Sequence, residues 1–358
     1  MAGIRGRSGP AGNQNAFRYG LAGSLSSFFT SPRDEPWAPL GVQFFVSVSI
    51  RNYIVLICLT AFFVIAGCAG EMSRGLPVDR QRTAQTAIEI PRKVLFIHAT
   101  FLTPKSWDNF SSFFKAQGYD VTAPPWPGKE ESVEEQNKNP SPLLETLGIG
   151  EIVEHYENII RNEKEQPILI GHSVGGLIVQ ILLDRGWGSA GVAIASIPPE
   201  GVFSSYPSTA RSVLKPFLTP WGWRKIVRWP FSEFQYGFVH TLSADEQLAV
   251  YREQIVPESG RIFWQLAFKA FDNQAAVNFN NKARAPLLLI AGSEDRIVPP
   301  RAVRTNFRKY ADGARTDFQE FAARTHWIIG QPGWEEVAAY TEAWVAQLRS
   351  EMATTRTP

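Results

Sequence analysis

Residues 168–183 read ILIGHSVGGLIVQILL. An apolar run is broken by Gly171-His172-Ser173-Val174-Gly175-Gly176 and resumes at once. A strand that simply continued has no use for three glycines and a serine. A sharp turn does, because glycine tolerates strained backbone and lets neighbouring main chain pass close. The stretch therefore reads as a buried strand, a tight turn and a helix, with Ser173 lifted out at the turn.

The same rhythm extends on both sides. Short apolar runs predict strands at 94–97, 119–123, 167–170, 192–197, 286–291 and, more weakly, 315–321. Between them, apolar residues at helical spacing predict helices carrying Trp107, Phe110, Phe113 and Phe114 (ended by Gly118) and Ile152, Val153, Tyr156, Ile159 and Ile160. Further helices are expected at 177–185 and 334–349, the latter with Trp334, Val337, Thr341, Trp344, Val345 and Leu348 on one face. Residues 129–141 are polar and charged and read as a solvated loop. Strands alternating with helices predict an α/β fold, a doubly wound and mostly parallel sheet. Its core covers 93–197 and 285–350. Residues 198–284 interrupt the alternation with Trp221, Trp223, Trp229, Trp264 and many phenylalanines, and read as a cap inserted over the strand ends, where ligands of such sheets bind.

The chain has 358 residues, 44% hydrophobic and 20% charged, with a net charge of +2. Its basic residues form no stripe of the kind nucleic-acid binding needs. Both cysteines, Cys58 and Cys68, lie in one apolar segment, so the rest of the chain has no thiol nucleophile and no cysteine-based metal site. The histidines (98, 155, 172, 240 and 326) lack the HExxH spacing of a zinc enzyme.

Residues 1–50 are rich in Gly, Ser, Pro and Arg and read as a disordered or over-long extension. Segment 51–70 is uncharged from Tyr53 onward and ends in Ile65-Ala66-Gly67-Cys68, similar to the lipobox whose cysteine is lipidated. A lipoprotein signal, a single-span anchor, or a start at Met72 with no anchor are the three readings. Residues 71–92 read as a linker. The first two readings place the protein at a membrane, facing the periplasm or exterior; the third leaves it in the cytoplasm.

A serine hydroxyl used as a nucleophile needs a base, and the base needs an orienting carboxylate. Behind a Gly-x-Ser-x-Gly strand-to-helix turn these partners are expected in the order Ser, acid, His, on loops after later strands. The loop after 286–291 carries Glu294 and Asp295, with Asp295 favoured and Asp317 and Asp272 as more distant rivals. His326, in the loop before the closing helix, is the sole histidine after residue 240. His155 is expected to face outward from its helix.

With these residues the chain resembles the serine hydrolases of the α/β-hydrolase superfamily over roughly 93–349. The matching motifs are Gly171-His172-Ser173-Val174-Gly175, the Gly-x-x-Asp-x-x-Val-Pro run at 292–299, and His326 followed by an aromatic. HATFLTPKSW (98–107) and the PPWPG stretch look most like esterase- or lysophospholipase-like members. The resemblance implies an acyl-enzyme mechanism with Ser173, His326 and Asp295, an oxyanion hole from the backbone N–H groups of Thr100 and Val174, and no cofactor or metal. Two departures stand out: Ala99 replaces the usual glycine after His98, and Thr325 stands where a glycine often precedes the histidine. Phe101, His172 and, in the insertion, Trp223 are the expected substrate-contacting side chains. The expected substrate is a small-molecule or lipid ester with an apolar acyl or ring part. Rival readings keep the triad but change the outcome (acyl transfer, cofactor-free haloperoxidase or perhydrolase chemistry, C–C hydrolysis), or make the chain a non-catalytic binding protein on the same scaffold.

Overall fold

The computed structural model describes residues 91–203, 206–268 and 273–354. The extension 1–50, the segment 51–70 with Cys68, and the linker up to residue 90 lie outside them. Among the described residues no helix is long and apolar enough to cross a membrane.

The chain opens with strand β1 (Lys93–Ile97), a 3₁₀ turn (Pro104–Trp107) and helix α1 (Asp108–Ala116), then β2 (Asp120–Thr122). Helices α2 (Val133–Lys138) and α3 (Ile149–Arg161) lead to β3 (Ile168–His172), α4 (Val174–Asp184) and β4 (Ala190–Ile194). The insertion follows: α5 (Pro207–Ser212), α6 (Lys215–Leu218), β5 (Ile226–Val227), α7 (Phe231–Gly237), α8 (Ala244–Gln254), β6 (Glu258–Ser259) and α9 (Gly260–Ala267). The core resumes with β7 (Leu287–Gly292), α10 (Pro300–Lys309), β8 (Thr316–Phe321) and α11 (Trp334–Thr354).

The main sheet runs β2-β1-β3-β4-β7-β8 with every neighbouring pair parallel, while β5 and β6 form a separate antiparallel ribbon inside the cap. Strand order reverses at β1, whose neighbours are β2 on one side and β3 on the other. At such a switch point the loops diverge and leave a crevice at the carboxyl ends of the strands. The His98–Phe101 stretch follows β1 there, and Ser173 follows β3.

The continuous apolar reading of 168–183 has a packing reason. Every residue of β3 is buried, and so is every residue of α4 from Val174 to Leu183. A helix enclosed on all sides has no polar face to alternate with.

Two parts of the chain depart from the sequence reading. The stretch 129–141 is not a solvated loop: Ser132 caps α2 by accepting from the Glu135 N–H, and Lys129 is 1% exposed. Helix α10 went unread because its buried face carries only Ala302, Val303 and Asn306, too few apolar residues to mark a period.

Candidate active site

Ser173 sits at φ 56°, ψ −115°, between the last residue of β3 and the first of α4. A non-glycine residue so placed costs about 1–3 kcal/mol and persists only where its surroundings over-determine it. They do: its N–H donates to the Ile194 carbonyl (2.9 Å), and its own carbonyl accepts from Ile197 (3.1 Å). The glycines are forced by close approach. A Cβ on Gly171 would lie 2.2 Å from the Gly175 carbonyl oxygen, and one on Gly175 would lie 2.2 Å from that of Ile97. One on Gly176 would meet Ser196 at 2.7 Å.

The candidate base and acid arrive from the ends of β8 and β7. His326 Nδ1 lies 2.7 Å from Asp295 Oδ2, both groups buried. Asp295 Oδ1 accepts the N–H groups of Ile297 and Val298, each at 2.8 Å, which fixes the carboxylate plane. A carboxylate facing Nδ1 selects the tautomer with its proton there and leaves Nε2 to accept. Glu294, the rival acid, is exposed, and Asp317 is taken up by Arg315 and the Trp344 indole N–H. Asp272 lies outside the described residues.

Thr325 is no handicap in a place where glycine is common. Its N–H and Oγ1–H both donate to Gln331 Oε1 (2.8 and 2.7 Å), and its Oγ1 accepts the Trp327 N–H (3.2 Å). Gln331 Nε2 donates in turn to the Ala323 carbonyl (3.0 Å). Gln331 thus holds the His326 loop; a lone loop glutamine carries no sequence signal for that role.

The N–H groups of Thr100 and Val174, the expected oxyanion donors, are given to no protein acceptor among the described residues. Ala99 is accommodated without strain; the left-handed residue here is Phe101, at φ 61°. Phe101 is held on both sides by the cap: its N–H donates to Glu258 Oε2 and its carbonyl accepts the Val256 N–H, each at 2.9 Å. Glu258 Oε2 also pairs with Lys129 Nζ at 2.7 Å, with both side chains fully buried. Lys129 Nζ reaches the carbonyls of Pro257 (3.2 Å) and Leu102 (3.4 Å) as well. Burial pushes the Lys129 pKa down and Glu258 opposes that push.

His98 lies beside this pair, stacked on Trp126 at 4.5 Å. Its Nε2 accepts the Trp126 N–H (3.2 Å), so Nδ1–H donates to the Ala99 carbonyl (2.9 Å). Burial, and then the Lys129 charge, hold its pKa well below the usual imidazole range.

Two of the side chains expected at the substrate make other contacts in the fold. His172 is fully buried and its Nε2–H donates to the His326 carbonyl (2.8 Å), with the rings 4.9 Å apart. It ties the Ser173 turn to the His326 loop, and burial, the largest cause, holds its pKa well below the usual imidazole range. Trp223 packs on Trp221 (5.3 Å) and Trp264 (5.0 Å) in the outer part of the cap. The cap aromatic over His326 is Phe238, 5.4 Å away, which also meets Trp229 (5.5 Å). Trp229 in turn stacks on Phe101 at 4.9 Å, so Phe101 is packed against the roof. Along α9, Phe263 faces Phe101 while the next residue, Trp264, turns outward to Trp223. His155, expected to face outward, is half-buried with Nε2 3.0 Å from the Pro125 carbonyl.

The crevice is closed: Ser173 is 3% exposed. Two clefts open nearby, of about 940 Å³ beside Thr103, Lys129 and Arg252 and of about 270 Å³ beside Trp229, Tyr251 and Val256, and Ser173 lines neither.

Comparison with curated protein sequences returned no match. Among solved structures, the chain is similar to the monoacylglycerol lipase of Paleococcus ferrophilus, with 20% identity, 73% of this chain and 96% of that one covered, and a TM-score of 0.52. It is similar to a soluble variant of monoglyceride lipase from Saccharomyces cerevisiae (14% identity, 74% and 89% covered, TM-score 0.55). It is also similar to a pyrethroid hydrolase from Sphingobium faniae (16% identity, 71% and 97% covered, TM-score 0.50). At these identities the likeness is one of fold. The model of the alpha/beta hydrolase family matches residues 94–339, well over half of the chain, and the protein belongs to that family.

Proposed function

We propose that the protein is a serine hydrolase that cleaves carboxylic esters or thioesters with apolar acyl or ring parts. The observation that carries this reading is that the Ser173 turn, the Asp295–His326 pair and two N–H groups without protein acceptors all lie at the carboxyl ends of the parallel strands β1, β3, β7 and β8. His326 Nε2 takes the Ser173 proton as Oγ attacks the acyl carbon. The carbonyl electron pair moves onto oxygen, where the Thr100 and Val174 N–H groups receive it. The bond to the leaving group then breaks, and Nε2–H protonates the departing alcohol or thiol. Water, deprotonated by the same nitrogen, releases the acid and returns the proton to Ser173. Asp295 holds the tautomer through both halves.

The apolar substrate preference rests on Phe101, Trp229 and Phe238, which line the roof. Each acyl CH₂ buried there contributes about 0.8 kcal/mol. The monoacylglycerols and pyrethroids named for two proteins of the same fold agree with that preference. Because Ser173 is so little exposed, the roof must part for entry.

The test is labelling by a fluorophosphonate probe and turnover of p-nitrophenyl esters from acetate to octanoate. Ser173→Ala should abolish labelling and lower kcat on the order of 10⁶-fold. Labelling that survives this change, or a steep preference for acetate, overturns the nucleophile or the substrate class respectively. A second reading, acyl transfer, is favoured by the same enclosure, which would keep water from the acyl-enzyme. Added alcohol acceptor should then yield transfer product beyond its share of the solvent.

A further inference from the structure

We propose that the outer face of the cap, centred on Leu218 and Trp221, is a docking surface for an anionic lipid membrane. The inference stands apart from the reaction assigned above and comes from residues that play no part in it.

The cap leaves large apolar side chains in water: Leu218 is 67% exposed and Trp221 66%, with Leu214, Trp223 and Phe268 exposed around them. They form one patch. Trp221 meets Trp223 at 5.3 Å, Trp223 meets Trp264 at 5.0 Å, and Trp264 stacks on Phe268 at 5.3 Å. Helix α6 is pressed against the tryptophan turn so closely that a Cβ on Gly222 would lie 2.2 Å from the Pro216 carbonyl oxygen. Soluble monomers seldom leave such a cluster uncovered without a partner for it. Trp221 is moreover held at φ 59°, an unfavourable conformation for a bulky side chain, with its ring turned largely to solvent. Neither core packing nor the ring over His326 accounts for this, since that ring is Phe238, backed by Trp229.

The charge around the patch names the occupant. Residues 201–232 contain five Lys or Arg and no Asp or Glu, in a chain whose net charge is only +2. Arg224 and Lys225 are exposed beside the apolar side chains, and Lys215, also exposed, faces the Glu233 carboxylate. Tryptophan and leucine rimmed by lysine and arginine suit the boundary between acyl chains and anionic headgroups. A second copy of the chain is a poor match, because a two-fold contact would set these cations against themselves.

The experiment uses the full chain in a Cys58→Ser/Cys68→Ser background carrying bimane at Leu218→Cys or, as a control on α11, at Tyr340→Cys. Vesicles of phosphatidylcholine and phosphatidylglycerol contain lipid with a nitroxide on the acyl chain. Both probe sites share the same N-terminal segment, so the contrast between them reports the patch itself. Quenching several-fold stronger at 218 than at 340 is expected. Arg224→Glu/Lys225→Glu should raise the lipid concentration for half-maximal quenching at least about tenfold. Trp221→Asn, which tolerates the same backbone conformation, should weaken quenching while leaving the melting temperature and p-nitrophenyl acetate turnover unchanged. Equal quenching at both sites, or none while the protein floats with the vesicles, overturns the proposal. So does a probe at 218 already shielded without lipid in a concentration-dependent dimer.

Discussion

Two carboxylates in this protein are buried against a basic partner at the same 2.7 Å separation: Asp295 against His326, and Glu258 against Lys129. Each also accepts main-chain N–H groups, Asp295 from Ile297 and Val298, Glu258 from Phe101 and its neighbour Ser259. The first pair joins the ends of adjacent strands β7 and β8. The second joins the loop after β2 to ribbon strand β6 of the cap. The first aims a side chain, the imidazole. The second aims main chain, holding Phe101 and Leu102 directly behind Thr100, whose N–H the proposed oxyanion needs. Removing two charges from water is costly enough that a buried ion pair is weak evidence of a stability device. A placement role fits Lys129–Glu258 better, and the cap is thereby part of the site's foundation as well as its cover.

The sharpest way to break the comparison is to disable each pair alone. Asp295→Asn preserves shape but favours the wrong imidazole tautomer, and kcat should fall on the order of 10⁴-fold with the fold intact. Glu294→Gln should leave kcat unchanged; the reverse outcome in ester turnover would move the acid to Glu294.

Glu258→Gln keeps an acceptor for the Phe101 N–H but strands a buried ammonium, and urea unfolding should show a loss of about 3–5 kcal/mol. Lys129→Met added to it removes the stranded charge and should recover most of that stability. If the double variant is as unstable as the two single losses summed, the groups are not coupled. In the recovered double variant, kcat should remain lower than wild type with KM little changed, by up to about 10²-fold if the Thr100 N–H is displaced.

The smallest effect is a pH dependence of stability. His98 and His172 are neutral in the fold with depressed pKa values, caused first by burial. The unfolded chain gains protons at these sites near pH 6.5, so their contribution is complete above that value and declines as the pH falls below it. The melting temperature should drop between pH 8 and pH 5, and His172→Gln, which can still donate to the His326 carbonyl, should drop less. An unchanged slope in that variant would mean His172 titrates normally.

What the chain spells out locally was legible. Apolar runs mark the strands because a parallel sheet is covered on both faces. The Gly-x-Ser-x-Gly turn marks itself because steric closeness there admits only glycine. Asp295 was favoured over Glu294 in the sequence, but adjacent residues share a loop, and burial and direction distinguish them only in the fold. Lys129 in a polar stretch, Glu258 in a cap, His172 at a variable motif position and Gln331 in a loop were not legible in their roles. Each acts on main chain distant in sequence, and no local period or spacing encodes such a meeting. Trp223 and Trp229 look equivalent on the page of the sequence; the turn of the cap sends one outward and sets the other on Phe101. Local sterics and burial periodicity thus determined the sheet and the strand–turn–helix around Ser173. Which buried charge meets which backbone, and which cap aromatic packs on His326, was decided by how the cap folds back onto the strand ends.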